Sequence, residues 1–142
     1  MRIYLSGPMS GLPKYNRDLF AEAARVLRSV GHEVFTLGEI RIDNGTWQQY
    51  MRSALKGMMD CDKMLLLPGW SKSRGASIEY NLALKLEMPT QTLFEWLAFS
   101  EEGRAMWGES YDRIVRLLEQ LQGYAGASAG ERKPECIDVG SM

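Results

Sequence analysis

Apolar positions along the chain follow two alternating patterns. Short apolar runs, typical of buried strands, alternate with longer segments in which apolar residues recur every three or four positions, as in amphipathic helices. These patterns predict strands at residues 2–5, 33–37, 63–67 and 89–93. They predict helices at residues 16–30, 47–59, 75–86 and 111–121, with Asn16 as the N-cap of the first. The chain is therefore predicted to alternate strand and helix over most of its length.

The short connections between these elements predict the fold class. They require right-handed crossovers, which produce a mainly parallel sheet with helices on both faces. We expect an α/β fold, a Rossmann-like or flavodoxin-like three-layer sandwich with four or five strands, formed by residues 1–122. The segment 123–142 is rich in glycine and small residues, which predicts a flexible tail, with an edge strand expected at 135–139.

Length and composition are those of a soluble single domain. The 142 residues are 45% apolar and 25% charged, and no apolar run is long enough to span a bilayer. The first residues enter a predicted strand directly and show no export signal, which predicts a cytoplasmic location. Cys61 and Cys136 are too few for a disulfide framework, and with His32 as the one histidine a zinc site is not expected.

The charges are balanced and dispersed. Lysine and arginine number 17 against 18 acidic residues, and no basic cluster stands out. A polynucleotide partner normally requires a basic face that neutralises phosphates. We therefore expect a small-molecule ligand and neither a nucleic acid nor a membrane as partner.

Two loops follow the first and third predicted strands. The first begins Ser6-Gly7-Pro8-Met9, and the second leads through Ser73 towards Glu79. Because ligands collect at the carboxyl ends of parallel strands where the strand order changes, the two loops are predicted to face one site. The glycine of the first turn would let the backbone pass close to a ligand, although the turn is equally explained as a structural one. Neither loop carries a P-loop or dinucleotide motif.

Glu79 is the candidate reactive group. If the third helix begins near Gly75, Glu79 lies within about its first turn, where free N–H groups and the helix dipole favour a carboxylate. An ionised carboxylate facing a cleft can attack an electrophilic carbon or stabilise a developing cation. The alternative is that Glu79 is an ordinary acidic residue near a helix N-terminus.

Two aromatic residues have similar alternatives. The hydroxyl of Tyr4, at the carboxyl half of the first strand, could reach the same cleft, or Tyr4 is a core residue. Trp70 follows the third strand and could stack on a planar base, or it packs on its neighbours. His32 is predicted at the opposite end of the sheet in a structural role.

Several spaced motifs together resemble one family. They are Ile3 to Gly11, Cys61-Asp62, Leu66 to Trp70, Ser73-x-Gly75-Ala76 and Glu79. This pattern resembles the DUF4406 proteins of phages and bacteria, which are grouped with the nucleoside 2-deoxyribosyltransferases. The resemblance runs from Met1 to about Trp96.

The resemblance implies an activity and a set of site residues. Related deoxyribosyltransferases and deoxynucleoside 5'-monophosphate N-glycosidases act at the sugar's anomeric carbon with a glutamate that matches Glu79, with Tyr4 beside it. By the same comparison Ser73 would contact a 5'-phosphate. No metal or organic cofactor is implied, and relatives are commonly homodimers or larger assemblies, so at least a dimer is expected. The substrate-binding residues would be Ser6, Gly7, Pro8, Met9, Trp70, Ser73, Gly75 and Ala76.

The chain departs from the related enzymes at two places. Their aspartate eight positions before Asp62 falls on Ala54, and Asp60, the nearest carboxylate, lies elsewhere on the helix surface. Such an acid is typically worth about 10²- to 10⁴-fold in rate. The serine and arginine that hold phosphate in the first loop fall on Pro8 and Ser10, which leaves loop N–H groups, Ser73 and Arg74 for an anion.

Three functions remain open from the sequence. The first is an N-glycosidase or deoxyribosyltransferase acting on a nucleoside or nucleotide, with Glu79 as nucleophile. The second is a catalytically silent protein of phage or prophage origin that binds a nucleotide or a nucleotide signal, as Ala54 would favour. The third is a structural or partner-binding protein in which both loops are scaffolding.

Overall fold

The computed structural model describes residues 1–101 together with Arg113 and Arg116. Strands and helices alternate along this part of the chain. In order they are β1 Arg2–Ser6, α1 Arg17–Ser29, β2 Glu33–Thr36, α2 Trp47–Met59, β3 Lys63–Leu66, α3 Arg74–Lys85, β4 Thr90–Thr92 and α4 Leu93–Phe99. Short 3-10 segments lie at Pro13–Asn16, Leu37–Glu39 and Trp70–Lys72.

The described strands form one parallel sheet in the order β2-β1-β3-β4. Tyr4 of β1 is level with Phe35 of β2 and with Met64 of β3. The chain leaves β1 towards β2 and later returns to the other side of β1, so the strand order changes between β1 and β3. This is the flavodoxin-like order, and it confirms the predicted α/β class.

Alternate residues of the strands belong to two separate cores. Ile3 and Leu5 pack with α1 and α4, whereas Tyr4 packs with α2 and α3. Since successive strand side chains point to opposite faces, the sheet is the middle layer of three. The predicted sandwich is therefore present in the described residues.

The largest difference from the predicted elements is at the fourth strand. Leu93 was expected to end it, but Leu93 is the first residue of α4, a helix that the pattern did not predict. Thr92 and Glu95 form a capping box, in which each side chain accepts a hydrogen bond from the other residue's backbone N–H. This local motif begins the helix at once after a strand of only three residues.

Asn16 occupies the predicted N-cap position of α1 without capping it. Its backbone is left-handed, as are those of Lys14 and Tyr15, and its side chain makes no cap hydrogen bond. The Asn16 Nδ2 group instead donates to the carbonyl of Pro8 at 2.9 Å. The residue therefore ties the start of α1 to the loop that follows β1.

Most of the predicted helix at 111–121, the tail at 123–142 and the expected strand at 135–139 lie outside the described residues. Arg113 is helical, and its Nη1 lies 3.6 Å from Glu22 Oε1 of α1. Among the residues described, none of the helices has the length and apolar content that crossing a membrane requires.

Candidate active site

Glu79 lies at the base of a cleft at the carboxyl ends of β1 and β3. Its side chain is on α3, and the residue is only 4% exposed. Ser6 Oγ donates a hydrogen bond of 2.7 Å to Glu79 Oε1, and the Tyr4 phenol also hydrogen bonds to the carboxyl group. The structure thus brings together Tyr4, Ser6 and Glu79, three of the predicted site residues.

The geometry of β1 explains why Tyr4 and Ser6 meet the same carboxylate. Residues two apart on a strand share a face, and this face carries α2 and α3. The Tyr4 ring stacks on Phe35 of the neighbouring strand β2, with the ring centroids 5.9 Å apart. This contact helps to hold the ring in place. α3 then places Glu79 beside the last residue of β1.

Burial sets the charge state of Glu79. Its pKa is raised from 4.5 to about 7, because removal from water outweighs the hydrogen bonds from Ser6 and Tyr4, which act to lower it. The pKa of Tyr4 is raised well above its usual value, first by burial and then by the charge of Glu79 and the hydrogen bond to it. At neutral pH the Glu79 carboxyl group is therefore close to half ionised.

The pKa of Glu79 is shifted in the direction opposite to that expected from the helix N-terminus. α3 begins at Arg74, next to the expected Gly75, and Glu79 is its sixth residue, in the second turn. Helix-terminal N–H groups and the dipole act mainly within the first turn. Desolvation therefore outweighs them, and the acid form is favoured more than in water.

Ser73 occupies the N-cap position of α3. Its hydroxyl oxygen accepts a hydrogen bond of 3.2 Å from the backbone N–H of Ala76, and the residue also lines the cleft. Gly75 lies next to α2, because a Cβ at this position would be 3.1 Å from Met51 Sδ. The phosphate contact expected of Ser73 stays a prediction.

The first loop lines the cleft from Ser6 to Ser10, as expected. Gly7 is required there for a reason that the sequence did not indicate. A Cβ on Gly7 would lie 2.8 Å from Leu67 Cβ, and its backbone φ is not positive. The loop therefore packs closely against the residue that follows β3, and the Leu67 N–H donates to the Ser6 carbonyl at 2.8 Å.

Trp70 does not line the cleft. It is 4% exposed, and its ring lies on Tyr80 with a centroid separation of 4.5 Å, which is the packing alternative rather than the stacking one. The preceding Gly69 has a left-handed backbone, and the short 3-10 segment that follows turns the indole into the core.

A different tryptophan lines the cleft. Trp47 is the first residue of α2, and the Arg74 guanidinium lies 4.0 Å from the centre of its ring. The Thr46-x-x-Gln49 capping box was a signal in the sequence that could have placed Trp47 at the cleft end of its helix. Trp47, Tyr50 and Arg17 line the cleft but were not predicted from the sequence.

The cleft has a volume of about 760 Å³, within the usual range for small-molecule sites. Glu79 is the one acidic side chain among its described lining residues. Ala54, which falls where the enzymes that the chain resembles carry an aspartate, is fully buried beside Tyr4 and Met58, and Asp60 is exposed at the end of α2. In the described part of the chain, no three His, Cys, Asp or Glu side chains are grouped to hold a metal ion.

Comparison with known proteins identifies the family. A solved structure described as a conserved protein from Enterococcus faecalis V583 is 14% identical, with a TM-score of 0.48, over 72% of this chain and 77% of that chain. No curated protein matches. Residues 1–92 match the family described as Domain of unknown function (DUF4406). The match spans more than half of the sequence, and the chain belongs to this family.

Proposed function

We propose that the protein cleaves the N-glycosidic bond of a nucleoside or nucleotide, as a hydrolase or a deoxyribosyltransferase, with Glu79 as nucleophile. The observation that carries the proposal is the buried Glu79 carboxyl group, held by Ser6 and Tyr4 at the base of a ligand-sized cleft. Two donors fix the carboxylate, so it need not reorganise when a sugar carbon approaches.

The proposed reaction has two steps. In the first, an oxygen of ionised Glu79 attacks the anomeric carbon, the C–N bond breaks, and its electron pair leaves with the base, which takes a proton from water. This produces a glycosyl ester on Glu79. In the second, a water oxygen or the nitrogen of another base attacks the same carbon, Glu79 leaves as carboxylate, and the attacking group loses a proton. Retaining glycosidases use the same sequence of steps.

The proposal predicts a rise in activity with pH. Only the ionised form of Glu79 is a nucleophile, and its pKa is about 7. Below this pH, kcat/KM should rise about tenfold for each pH unit, and it should level off above. Initial rates of base release between about pH 5 and pH 9 measure this profile. A rate that falls as pH rises through 7 would assign Glu79 as a proton donor instead.

A second candidate is a protein that binds the same ligand without cleaving it. The observation in its favour is that no second carboxylate lines the described cleft to protonate the leaving base. Ala54 occupies the position where the related enzymes carry one, and it packs in the core. The absence of such an acid would lower the rate by about 10²- to 10⁴-fold.

Base release and thermal stability separate the two candidates. The protein is incubated with nucleosides and 5'-monophosphates of the common bases, as ribose and deoxyribose forms, and free base is quantified. Turnover that falls at least about 10³-fold in Glu79→Gln supports the enzyme. Glu33→Gln, an exposed carboxylate at the far end of the sheet, is the matched control and should keep full activity.

The binding candidate has a different outcome. A ligand at about a hundred times its Kd would add about 2.7 kcal/mol to the free energy of unfolding and would be recovered intact. Wild-type turnover that persists unchanged in Glu79→Gln would remove the proposed mechanism.

We further propose that the protein acts in the cytoplasm as a homodimer. Exposed apolar side chains on and beside α3, at Ile78 and Leu86, support an association surface on this side of the fold. Light scattering coupled to size exclusion measures the mass in solution. A monomer at assay concentrations would overturn this part of the proposal.

A further inference from the structure

The charge of the cleft differs from that of the chain as a whole. The full sequence has a formal net charge of −1. The described residues that line the cleft, however, include the cationic Arg17, Lys72 and Arg74 against the single carboxyl group of Glu79. A concave surface of one sign raises the local concentration of ligands of the other sign. The cleft therefore favours an anionic ligand.

Arg17 stands on the α1 side of the cleft. Its Nη1 and Nη2 donate to the carbonyls of Gly38 and Ile40 at 3.5 and 3.3 Å, while its Nε is buried and has no hydrogen-bond partner in the described structure. No described carboxylate pairs with this guanidinium. The Arg17 guanidinium also lies 5.6 Å from the centre of the Tyr15 ring. A partly buried charge balanced by carbonyl dipoles and a ring face, without an anionic partner, keeps part of its desolvation cost, which an anion in the cleft would offset.

Arg74 also lines the cleft, at the first residue of α3. Its guanidinium is held over the Trp47 ring at 4.0 Å, so it is positioned by an aromatic face and not by a described acidic partner. A guanidinium over an aromatic face can still donate hydrogen bonds from the N–H groups that do not point at the ring. Planar donor groups of this kind suit phosphate oxygens.

We infer that the cleft takes a phosphorylated nucleoside rather than an uncharged one, with Arg17 and Arg74 supplying the positive charge that binds the phosphate. The inference rests on the proposed function for the nucleoside part of the ligand and names the substrate class within it. Arg17 lies outside the two loops that the sequence indicated, and nothing in the pattern of the chain assigned it to a site.

Matched ligand pairs test the inference. Calorimetry measures the Kd of each common nucleoside, of its 5'-monophosphate and of inorganic phosphate, at low and at high ionic strength. The monophosphate should bind at least about tenfold more tightly than its nucleoside, because charge-assisted hydrogen bonds are stronger than neutral ones. Added salt should reduce this preference. Inorganic phosphate should bind more weakly than the monophosphate.

Variants connect the preference to the two side chains. Arg17→Gln and Arg74→Gln should each weaken binding of the monophosphate more than binding of the nucleoside, and so remove most of the monophosphate preference. Arg74→Lys should restore part of it. Arg52→Gln, which removes an exposed positive charge from α2 outside the cleft lining, is the control and should keep the full preference. Since Arg17 also donates to the carbonyls of Gly38 and Ile40, Arg17→Lys and an unfolding curve for each variant separate lost binding from lost folding.

Several results would overturn the inference. They are equal Kd values for nucleoside and monophosphate, no binding by any member of the panel, inorganic phosphate binding as tightly as the monophosphate, or an unchanged preference in both glutamine variants. Failure of the proposed function looks different. Base release from nucleosides but not from monophosphates would support the glycosidase activity and contradict the phosphate site. Salt-sensitive binding of monophosphates without base release would support the phosphate site and contradict the glycosidase activity.

Discussion

The two ends of the central strand both carry a carboxylate held by hydrogen-bond donors. At the amino end, Arg2 Nε donates to Glu33 Oε2 at 3.1 Å, and both side chains are more than half exposed. At the carboxyl end, Ser6 Oγ donates to Glu79 Oε1 at 2.7 Å, and Glu79 is buried. Both contacts are hydrogen bonds to a carboxylate oxygen, but the donor is a charged guanidinium at the exposed end and a neutral hydroxyl at the buried end. The two ends therefore differ in the access of water and in the charge of the donor.

This difference decides which end can carry chemistry. Water at the amino end solvates both ions, so their attraction adds little to the free energy of unfolding. At the carboxyl end the cost of burial moves the pKa of Glu79 to about 7. The fold thus keeps at its cleft a carboxylate that is destabilising when ionised, which is characteristic of reactive sites.

The largest expected effect is on the pH dependence of stability. An unfolded glutamate has a pKa near 4.5 and folded Glu79 one of about 7, a difference worth about 3 kcal/mol. The folded state binds the proton more tightly, so this contribution is complete below about pH 4.5 and is lost as pH rises through about 7. Glu79→Gln does not titrate. From about pH 4 to pH 8, wild type should lose about 3 kcal/mol relative to the variant.

Urea unfolding of both proteins at several pH values measures this loss. The Glu33→Gln variant, compared in the same way, should follow wild type throughout. Parallel curves for wild type and Glu79→Gln would show that Glu79 does not carry the shifted pKa.

Ser6→Ala removes one of the two donors to Glu79. A hydrogen bond to a charged group is worth roughly 1.5–3 kcal/mol, so the loss of stability at about pH 8 should fall in this range. It should be smaller at about pH 4, where the carboxyl group is neutral. The same change removes a contact that lowers the pKa of Glu79, so the pH profile of base release should move to higher pH.

Tyr4→Phe keeps the ring on Phe35 but removes the other hydrogen bond that lowers the pKa of Glu79. It should therefore move the pH profile of base release in the same direction.

Gly7→Ala tests the packing of the cleft end. The added Cβ would lie 2.8 Å from Leu67 Cβ, and overpacking of this kind costs roughly 1–3 kcal/mol. Gly31 at the amino end of β2 has no neighbour within 4 Å of a Cβ but a backbone φ of +96°. Gly31→Ala should therefore cost about 1 kcal/mol through backbone strain alone. Urea midpoints measure both, and equal stability of wild type and Gly7→Ala would contradict the close contact.

The smallest expected effect is at the exposed ion pair. Glu33→Gln breaks its contact with Arg2, but water and salt replace the interaction at so exposed a site. No measurable change in Tm is expected. A clear loss of Tm would show that the exposed ion pair at the amino end of β1 stabilises the fold, and that burial is not what separates the two ends of the strand.

The order of strands and helices was largely determined by the sequence. Apolar periodicity depends on neighbours within one element, and it predicted α2 at its observed bounds and the parallel α/β class. It failed for α4, where a capping box acts over four residues and a short strand leaves no room for a periodic signal. The two loops at the cleft were also predicted, because parallel strands place their carboxyl ends together.

Only the tertiary structure decided the chemistry of the cleft. Tyr4, Ser6 and Glu79 are separated by more than 70 positions at their extremes, and the buried position that raises the pKa of Glu79 exists only when α3 covers β1. Trp47 and Trp70 are both tryptophans near loops, and which of them lines the cleft depends on the packing of Trp70 on Tyr80 and of Arg74 on Trp47. Local patterns cannot determine burial or charge across elements, because both depend on atoms that the chain brings together from distant positions.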